Sequence, residues 1–424
     1  MLSQIEGSKA VAKTVAACRP EVICAYPISP QTHIVEELSR IVKNGELTGC
    51  EYVNVESEFA AMSVAIGASA TGARAYTATA SQGLLYMVEA IYNASGMRLP
   101  IVMTVANRAI GAPINIWNDH TDTMSQRDSG WIQLYAEDNQ EAADLHVQAF
   151  RIAEELSVPV MVCMDGFVLT HAVERVDVPE EADVARFLPP FVPRQLLDPD
   201  QPITMGAMVG PEAFTEVRYL AHQSQLDAVD VIERVSAEFA SVFGRHTGGL
   251  VRGYRLEGAG TVVIALGSVL GTLKDAVDAE REQGHAVGVL GITSFRPFPY
   301  DAVRAALAGV AQVVMVERAF AVGVGGIVAQ DVRTAVEGTG TRVHTVVAGL
   351  GGRPITQASL RGVLAEAYAG ELGRLTFLDL DRAVVAAELA REHAAEAPRA
   401  AARTAVRSPD AADTVPAGGA VPVR

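Results

Sequence analysis

Short runs rich in β-branched residues alternate with helical patterns along most of this chain. Strands that alternate with helices in this way form a parallel sheet covered by helices on both faces. The chain is therefore expected to be an α/β protein with a doubly wound parallel sheet. The β-rich runs of the first half lie at 22–26, 51–57, 74–80, 100–107 and 158–165, and the clearest helical pattern lies at 140–157.

Composition separates a first α/β domain from a connector. Residues 1–178 hold the first alternation and are expected to form one domain. A proline-rich segment then follows that blocks regular structure, and a helical pattern at 212–243 is expected to bridge to the next domain. Residues 179–255 are therefore assigned to the linker and its bridging helices.

A second alternation begins at Gly260. Residues 256–392 are expected to form a smaller flavodoxin-like α/β domain that ends in a helical region at 356–392. The last stretch, 393–424, is rich in Ala, Pro and Gly and cannot bury enough apolar surface to order itself. It is predicted to be a disordered tail.

Charge and composition restrict the classes of partner. The 424 residues carry a net charge of −16, whereas surfaces for nucleic acid or anionic membranes need clustered Lys and Arg, so we expect neither partner. No apolar run is long enough to span a bilayer and the N-terminus lacks a signal-peptide layout, so a cytoplasmic location is expected. The cysteines match no iron–sulfur spacing; they are Cys18, Cys24, Cys50 and Cys163.

A carboxylate marks the carboxyl end of one predicted strand. Glu58 follows the run 51–57, where a helix of small residues begins. Open α/β sheets bind ligands at this edge, and the apolar residues after Glu58 offer it almost no polar partner, so a buried Glu58 can share a proton at neutral pH. A half-exposed carboxylate stabilised by the helix dipole fits the local pattern equally well.

Two further polar residues are expected at the same edge. Ser29 follows the first strand, and Pro30 favours an extended backbone that places the Ser29 hydroxyl at the strand tip, although a helix N-cap is the commoner role. Arg108 follows the run 100–107 and can grip a carboxylate through two parallel hydrogen bonds, although a lone arginine is usually solvated. Three strand tips that converge on one crevice predict a ligand site.

Other polar and glycine-rich motifs are weaker signals. Asp119, His120 and Asp122 match no zinc spacing and are interpreted as a hydrogen-bonded loop near the mouth of the site, so no metal ligand is expected in this chain. The glycine runs at Gly323 and Gly349 complete no dinucleotide-binding pattern and are interpreted as tight turns. These motifs therefore add no cofactor site to the strand tips.

Several long segments resemble the α chain of the 2-oxoacid:ferredoxin oxidoreductase family, most closely its pyruvate enzymes. In the first half these segments are YPISPQTHIVEEL, the run from Glu56 to Asn93, PIVMTVANRAIGAP, WNDHTD and MDGFVLTH. In the second half, ITSFRPFPYDAV, VVMVERAFAVGVGGIVAQDV and GLGGRPIT resemble that family's second domain, which is similar to the transketolase C-terminal domain. The resemblance runs from about Lys9 to Arg361 in the family's order.

The resemblance implies roles for the strand-tip residues. The first domain is then the pyrimidine-binding domain of a thiamine diphosphate enzyme, and Glu58 matches the glutamate that hydrogen-bonds the aminopyrimidine ring and sets its tautomer. Arg108 matches a substrate-binding arginine, and Ser29 stands where the family has a substrate-binding threonine. Serine keeps the hydroxyl and loses a methyl group, which bears on substrate size. Glu58, Arg108 and Ser29 are thus the expected catalytic residues.

The resemblance also implies partner chains. The chain lacks the GDG…N signature of thiamine diphosphate and Mg2+ sites, and it lacks cluster cysteines. Thiamine diphosphate is therefore expected to be shared with a β subunit. Mg2+, 4Fe–4S clusters and coenzyme A are expected on partner subunits, which are the β subunit and γ and δ (ferredoxin-like) subunits or fusions of them, with ferredoxin as the electron acceptor.

The implied activity is oxidative decarboxylation of pyruvate to acetyl-CoA and CO2 with electrons passed to ferredoxin, or the reverse reaction. One alternative is an enzyme of the same family that acts on branched-chain, aryl or 2-oxoglutarate-type oxoacids. An alternative of a different class is a non-catalytic scaffold subunit of an electron-transfer complex. The scaffold is disfavoured because it has no need for three polar strand tips at one crevice.

Overall fold

The computed structural model describes residues 2–406, with side chains described for residues 2–394. Strands and helices alternate over this range, as the sequence predicts. The strands are β1 (Leu2–Glu6), β2 (Val22–Ala25), β3 (Glu51–Asn54), β4 (Ala75–Thr79), β5 (Val102–Asn107), β6 (Ile132–Tyr135), β7 (Val160–Asp165), β8 (Val173–Asp177), β9 (Val251–Tyr254), β10 (Thr261–Ala265), β11 (Val287–Ile292), β12 (Ser294–Arg296), β13 (Gln312–Glu317), β14 (Arg342–Val347) and β15 (Leu375–Phe377). The α-helices are α1 (Gly7–Ala17), α2 (Thr32–Lys43), α3 (Glu58–Ala70), α4 (Ser81–Tyr86), α5 (Val88–Gly96), α6 (Thr121–Met124), α7 (Asn139–Leu156), α8 (Glu181–Phe187), α9 (Phe214–Phe243), α10 (Val269–Glu282), α11 (Tyr300–Ala306), α12 (Val328–Ala335), α13 (Gln357–Ala369) and α14 (Arg382–Val406).

The first sheet has seven strands in the order β12-β6-β7-β5-β4-β2-β3. Strands β2 to β7 run parallel, and β12, from the second half of the chain, pairs antiparallel with β6 at one edge. A separate antiparallel pair joins β1 to β8. Each strand predicted in the first half is present but shorter than predicted, because residues at the ends of the β-rich runs leave the sheet and form loops.

Helices cover both faces of the first sheet, which explains why its central strands are apolar throughout. Every residue of β4, β5 and β7 is buried. Helix α7 packs against β7, and its Leu145, Ala149 and Ile152 are buried as their helical spacing predicts. Tyr76 and Phe150 are buried in the same cluster, and burial of one such aromatic side chain is worth roughly 1.5–3 kcal/mol. This packing fixes the loops at the carboxyl ends of the strands.

The second sheet has six strands in the order β15-β14-β13-β10-β11-β9. Its five parallel strands, numbered along the chain, follow the 2-1-3-4-5 order of flavodoxin-like folds, as predicted, and β9 adds an antiparallel edge. The strand order reverses between β10 and β13. The carboxyl ends of these two strands therefore form the crevice of the second sheet.

The connector is more regular than the sequence predicts. Helix α8 forms inside the proline-rich segment, because the prolines lie outside it, at Pro179 and Pro189, and two acidic residues occupy its first turn. Helix α9 confirms the helical pattern predicted at 212–243, and its role as a bridge stays a prediction. Its second half packs against α7, with Ile232 and Phe239 buried.

Two predictions for the C-terminal region are wrong. The helical region expected at 356–392 is interrupted, because Gly370, at φ 74°, ends α13 in the left-handed conformation and β15 follows before α14. Helix α14 continues to Val406, beyond the end expected for the helical region at 392. Alanine, glutamate and arginine, which dominate this stretch, are strong helix formers. The remainder of the predicted tail, 407–424, lies outside the described residues.

The chain up to Leu378, with both sheets, forms one compact unit, and the residues from Asp379 form a second. The finer domain boundaries expected at 178, 255 and 392 stay a prediction. Within the described residues, no helix combines the length and the apolar character needed to cross a membrane.

Candidate active site

Glu58 is the first residue of α3, where the sequence predicts a strand-to-helix transition. Ser57 caps this helix by accepting a hydrogen bond from the Ala60 N–H at 3.2 Å. Glu58 is only 8% exposed, which favours the buried carboxyl group over the half-exposed alternative. Among the described residues, no group donates a hydrogen bond to the Glu58 carboxyl oxygens.

Helix α4 approaches Glu58 at Gly83. A methyl group on Gly83 would lie 2.6 Å from Oε1 of Glu58 and 2.6 Å from Oγ1 of Thr79, so only glycine permits this approach. Thr79 ends β4, and its buried hydroxyl has no hydrogen-bond partner within the described part of the chain. A carboxyl group and a hydroxyl group that are both unpaired leave hydrogen-bonding capacity for a ligand.

Arg108 and Ser29 are in direct contact, as the converging strand tips predict. Nη1 of Arg108 donates to the Ser29 carbonyl oxygen at 2.8 Å, and Nε donates to the Asn115 carbonyl oxygen at 3.1 Å. Arg108 is 6% exposed, and burial lowers its pKa although Asp122 acts to raise it. Two of the five N–H groups are used by these carbonyls, so the guanidinium keeps donors for an anion. Ser29 itself is exposed.

Asp122 joins the loop that follows β4 to the loop that follows β5. Its Oδ2 accepts hydrogen bonds from the backbone N–H of Ser81 at 3.0 Å and of Arg108 at 2.9 Å. Ser81 has φ 49°, a left-handed conformation, and its hydroxyl donates to the Ala109 carbonyl oxygen at 2.5 Å. Glu58 is therefore linked to Arg108 through Gly83, Ser81 and Asp122.

Sequence reasoning found the three charged or hydroxyl-bearing strand tips and missed the residues between them. Thr79, Ser81 and Gly83 all belong to the segment ATASQG, in which small residues follow a strand directly. That pattern was the one available signal, because glycine after a strand often marks a close approach of the backbone to another group. Asp122 was expected only as part of a hydrogen-bonded loop.

The same loop contacts the second sheet through His120. Its Nε2 lies 2.7 Å from Oδ1 of Asp165, which ends β7. Nη1 of Arg318, which follows β13, donates to Oδ2 of Asp165 at 2.5 Å, and the Ser268 N–H donates to the same oxygen at 2.8 Å. Burial acts to raise the pKa of Asp165, but the charges of Arg318 and His120 hold it well below its usual range. The carboxyl edges of the two sheets thus meet at an ionic cluster.

Both glycine runs form turns, as predicted. Gly349 and Gly351 have φ values of 69° and 59°, and the Gly351 N–H donates to Oδ2 of Asp119 at 2.9 Å. The other run closes a turn in which the Gly325 N–H donates to the Ala321 carbonyl oxygen at 2.8 Å. Asp119 and His120 thus belong to a hydrogen-bonded loop, and no group of three potential metal-ligating side chains forms within the described residues.

The chain matches two family models. One, described as pyruvate flavodoxin/ferredoxin oxidoreductase, thiamine diphosphate-binding, matches residues 13–237. The other, described as pyruvate:ferredoxin oxidoreductase core domain II, matches residues 259–360. The first match includes Ser29, Glu58 and Arg108, and it spans more than half of the chain.

Relatives with high identity cover most of the chain. The pyruvate synthase subunit PorA of Methanosarcina barkeri is 50% identical over 385 residues, which are 89% of this chain and 96% of the relative. PorA of Methanothermobacter thermautotrophicus is 43% identical, over 86% of this chain and 94% of the relative. The ketoisovalerate oxidoreductase subunit VorA of Pyrococcus abyssi is 40% identical, over 85% of this chain and 91% of the relative.

A solved structure shares the fold. The 2-oxoglutarate:ferredoxin oxidoreductase from Magnetococcus marinus, with 2-oxoglutarate, coenzyme A and succinyl-CoA bound, has a TM-score of 0.64 at 19% identity. The match covers 86% of this chain and 65% of that one. At this identity the likeness bears on the fold alone.

Proposed function

The chain belongs to the pyruvate flavodoxin/ferredoxin oxidoreductase family, and we propose that it is the α subunit of a thiamine diphosphate-dependent pyruvate:ferredoxin oxidoreductase. The reaction converts pyruvate and coenzyme A to acetyl-CoA and CO2 with electrons passed to ferredoxin, or runs in reverse. The observation that carries this proposal is a pair of groups at one sheet edge that can still bind a ligand: the Glu58 carboxyl, which accepts no hydrogen bond from the described residues, and the Arg108 guanidinium, which keeps N–H donors beyond the two bonded to carbonyl oxygens. The relatives named for pyruvate are 43–50% identical, against 39–40% for those named for ketoisovalerate.

The residues beside Glu58 fit the pyrimidine half of thiamine diphosphate. The Glu58 carboxyl can share a proton with a ring nitrogen, and the unpaired Thr79 hydroxyl adds a second polar contact in the same place. Gly83 has no side chain, so the space beside the Glu58 carboxyl and the Thr79 hydroxyl is not filled by a methyl group. When bound, thiamine diphosphate supplies the carbon nucleophile and the electron sink that decarboxylation of a 2-oxoacid requires. Glu58 then controls the tautomer of the ring by holding or releasing one proton.

Arg108 and Ser29 fit the substrate end of the same site. The guanidinium is already oriented by two backbone carbonyl oxygens, and its remaining N–H groups can bind a carboxylate with charge-assisted hydrogen bonds. Ser29 lies next to it, and its exposed hydroxyl can donate to the 2-oxo oxygen. Glu58, Arg108 and Ser29 thus receive the three roles that the sequence predicts for them.

The rest of the apparatus is proposed to lie on partner chains. The four cysteines of this chain are free, and burial raises the pKa of Cys24 to about 12, so it is poorly suited to ligate a cluster as a thiolate. We place the diphosphate and Mg2+ on a β subunit, and the 4Fe–4S clusters and coenzyme A on partner subunits of the same complex. The names of the relatives, which call them subunits, support this arrangement. A cytoplasmic location stays a prediction.

Turnover of the assembled complex tests the proposal. The purified complex would be offered pyruvate, 3-methyl-2-oxobutanoate, an aryl pyruvate and 2-oxoglutarate with coenzyme A, and reduction of ferredoxin would be followed. We expect the largest kcat/KM for pyruvate. A larger kcat/KM for a branched-chain, aryl or dicarboxylic oxoacid would assign the chain to another enzyme of the same family. Turnover of none of these substrates would favour a non-catalytic scaffold subunit.

A further inference from the structure

Asp122 is a fully buried carboxylate that accepts hydrogen bonds from four N–H groups. Oδ2 accepts from the backbone N–H of Ser81 and of Arg108. Oδ1 accepts from the Asn107 side-chain amide at 2.8 Å and from the Thr123 backbone N–H at 2.7 Å. One oxygen therefore binds the loops that follow two different strands, and the other binds the end of β5 and the short helix α6.

The Ser81 turn depends on such contacts. Serine rarely adopts a φ of 49°, and a strained backbone of this kind persists only where its surroundings hold it. The Ser81 N–H is bonded to Asp122 and the Ser81 hydroxyl to the Ala109 carbonyl oxygen. Both contacts come from the segment between β5 and β6, which also carries Arg108. The position of Gly83 over Glu58 is thus tied to the position of Arg108.

We propose that Asp122 is a positioning residue that holds the Ser81–Gly83 turn over Glu58 and the backbone of Arg108 as one unit. This inference rests on the proposed function, in which Glu58 faces the cofactor and Arg108 faces the substrate carboxylate. In this role Asp122 needs no contact with the cofactor or with the substrate. It couples the two halves of the site, so that disturbance of Asp122 impairs cofactor activation and 2-oxoacid binding together.

The electrostatic setting makes all four hydrogen bonds necessary. Burial raises the pKa of Asp122 to about 6, although its hydrogen bonds act to lower it. The charged and titratable groups that face it are Arg108 on the loop after β5, Tyr135 on β6 and Cys163 on β7. A buried carboxylate loses part of the compensation for its desolvation whenever one of these donors moves away.

An amide in place of the carboxylate tests the coupling. In Asp122→Asn, one oxygen becomes an NH2 group that faces two N–H donors, so one pair of bonds is lost. On the assembled complex we expect both the rate of C2 proton exchange in bound thiamine diphosphate and kcat/KM for pyruvate to fall by roughly tenfold to a hundredfold, as for a small misplacement of reacting groups. A residue that only supports the fold would lower the yield of complex and leave both rates per assembled site unchanged.

A reciprocal exchange provides the rescue. In the double variant Asn107→Asp with Asp122→Asn, the new amide at 122 can donate to the new carboxylate at 107 and still accept from Ser81 and Arg108, while the Thr123 N–H loses its acceptor. We expect both rates to return in part and together. Recovery of one rate without the other, or rates of Asp122→Asn within about twofold of wild type, would overturn the inference. If neither variant assembles, the test uses Asn107→Ala, which removes only one of the four donors to Asp122. A smaller decrease in both C2 proton exchange and kcat/KM for pyruvate supports the coupling. A change in one of the two rates without the other refutes it.

Two controls separate this inference from the proposed function. Glu58→Gln should slow C2 proton exchange, and Arg108→Ala should lower kcat/KM for pyruvate with little effect on that exchange. If these variants fail to behave so, the proposed function is wrong. If they do behave so while Asp122→Asn leaves both rates intact, only the role of Asp122 is wrong.

Discussion

Two buried glutamates, Glu58 at the first sheet and Glu317 at the second, have similar surroundings and opposite hydrogen bonding. Each lies near the carboxyl end of the strands of a parallel sheet, and each is covered by a glycine that leaves no room for a side chain, Gly83 and Gly326. Glu317 accepts hydrogen bonds from the backbone N–H groups at the start of α12, those of Ile327, Val328 and Ala329, at 2.6, 3.0 and 2.8 Å. Glu58 accepts none from the described residues.

The threonines beside the two glutamates repeat the contrast. Thr79 turns its hydroxyl toward Gly83 and has no partner for it within the described residues. Thr345 turns its methyl group toward Gly326, and its hydroxyl accepts a hydrogen bond from Nη2 of Arg333 at 2.7 Å. The glutamate and the threonine at the second sheet are therefore satisfied within the described residues, whereas those at the first sheet are not. Unsatisfied buried groups are rare in native proteins, and a ligand at this edge, as proposed, would give these groups their partners.

The largest expected effect is a difference in kcat between the glutamine variants of the two glutamates. Glu58→Gln cannot release and regain a proton, so we expect the assembled complex to lose on the order of a hundredfold to a thousandfold in kcat. Glu317→Gln serves as the matched control and should keep its kcat per assembled complex within about twofold. Steady-state turnover with pyruvate measures both, and an equal loss in the two variants would remove the distinction between the edges.

The next effect concerns Arg108 and the substrate carboxylate. Arg108→Ala leaves a desolvated carboxylate without its partner, which costs at least about 2 kcal/mol, or about thirtyfold in kcat/KM for pyruvate. Arg108→Lys keeps the charge but loses the planar fork, and it should restore little. Acetaldehyde has no carboxylate, so its oxidation by the same complex should be much less affected. Equal losses for the two substrates would mean that Arg108 supports the fold or the cofactor instead.

Local patterns were sufficient to predict both sheets and the strand tips of the first. The alternation of β-rich and helical runs determined the fold class. Arg108 follows β5 directly, and Ser29 and Glu58 lie four residues after the ends of β2 and β3. Helix α8 and strand β15 were missed because proline and glycine near the ends of these elements obscured short regular segments. Such segments depend on packing that a local pattern does not contain.

The contrast between the two edges could not be predicted from the sequence. VNVESEF and VMVERAF both place a carboxylate shortly after a β-rich run, although Glu317 follows its run directly and aligns with Glu56, two residues before Glu58. Whether that carboxylate meets the start of a helix depends on residues distant in sequence, such as Ile327 for Glu317 and Gly83 for Glu58. The same holds for Asp122, whose donors Ser81 and Arg108 are 41 and 14 residues away. Hydrogen bonding of this range is a property of the folded chain.

A smaller expected effect is the loss of folding stability when Glu317, at the carboxyl edge of the second sheet, is replaced. In Glu317→Gln, one carboxylate oxygen becomes an NH2 group that faces a backbone N–H of α12, so a buried donor is left without an acceptor. We expect the free energy of unfolding of the isolated chain to fall by about 1–3 kcal/mol, measured by urea denaturation. Glu58→Gln should cause no comparable loss, because no hydrogen bond within the described residues depends on that carboxylate. A loss of stability in Glu58→Gln that matches that of Glu317→Gln would show that Glu58 is also a structural residue.

The smallest effect compares the two threonines, where valine keeps the shape of the side chain and removes only the hydroxyl. Thr345→Val breaks the bond to Arg333 and should lower the free energy of unfolding of the isolated chain by about 0.5–1.5 kcal/mol. Thr79→Val removes a buried hydroxyl that has no partner within the described residues, so the isolated chain should be equally stable or slightly more stable. In the assembled complex, Thr79→Val should instead weaken cofactor binding, because the Thr79 hydroxyl of the wild type has a ligand to contact there.

Urea denaturation measures the free energy of unfolding of the two variants, and cofactor titration measures their affinity for the cofactor. If Thr79→Val destabilises the isolated chain as much as Thr345→Val does, the Thr79 hydroxyl is bonded within the chain, and the first edge is no more open to a ligand than the second.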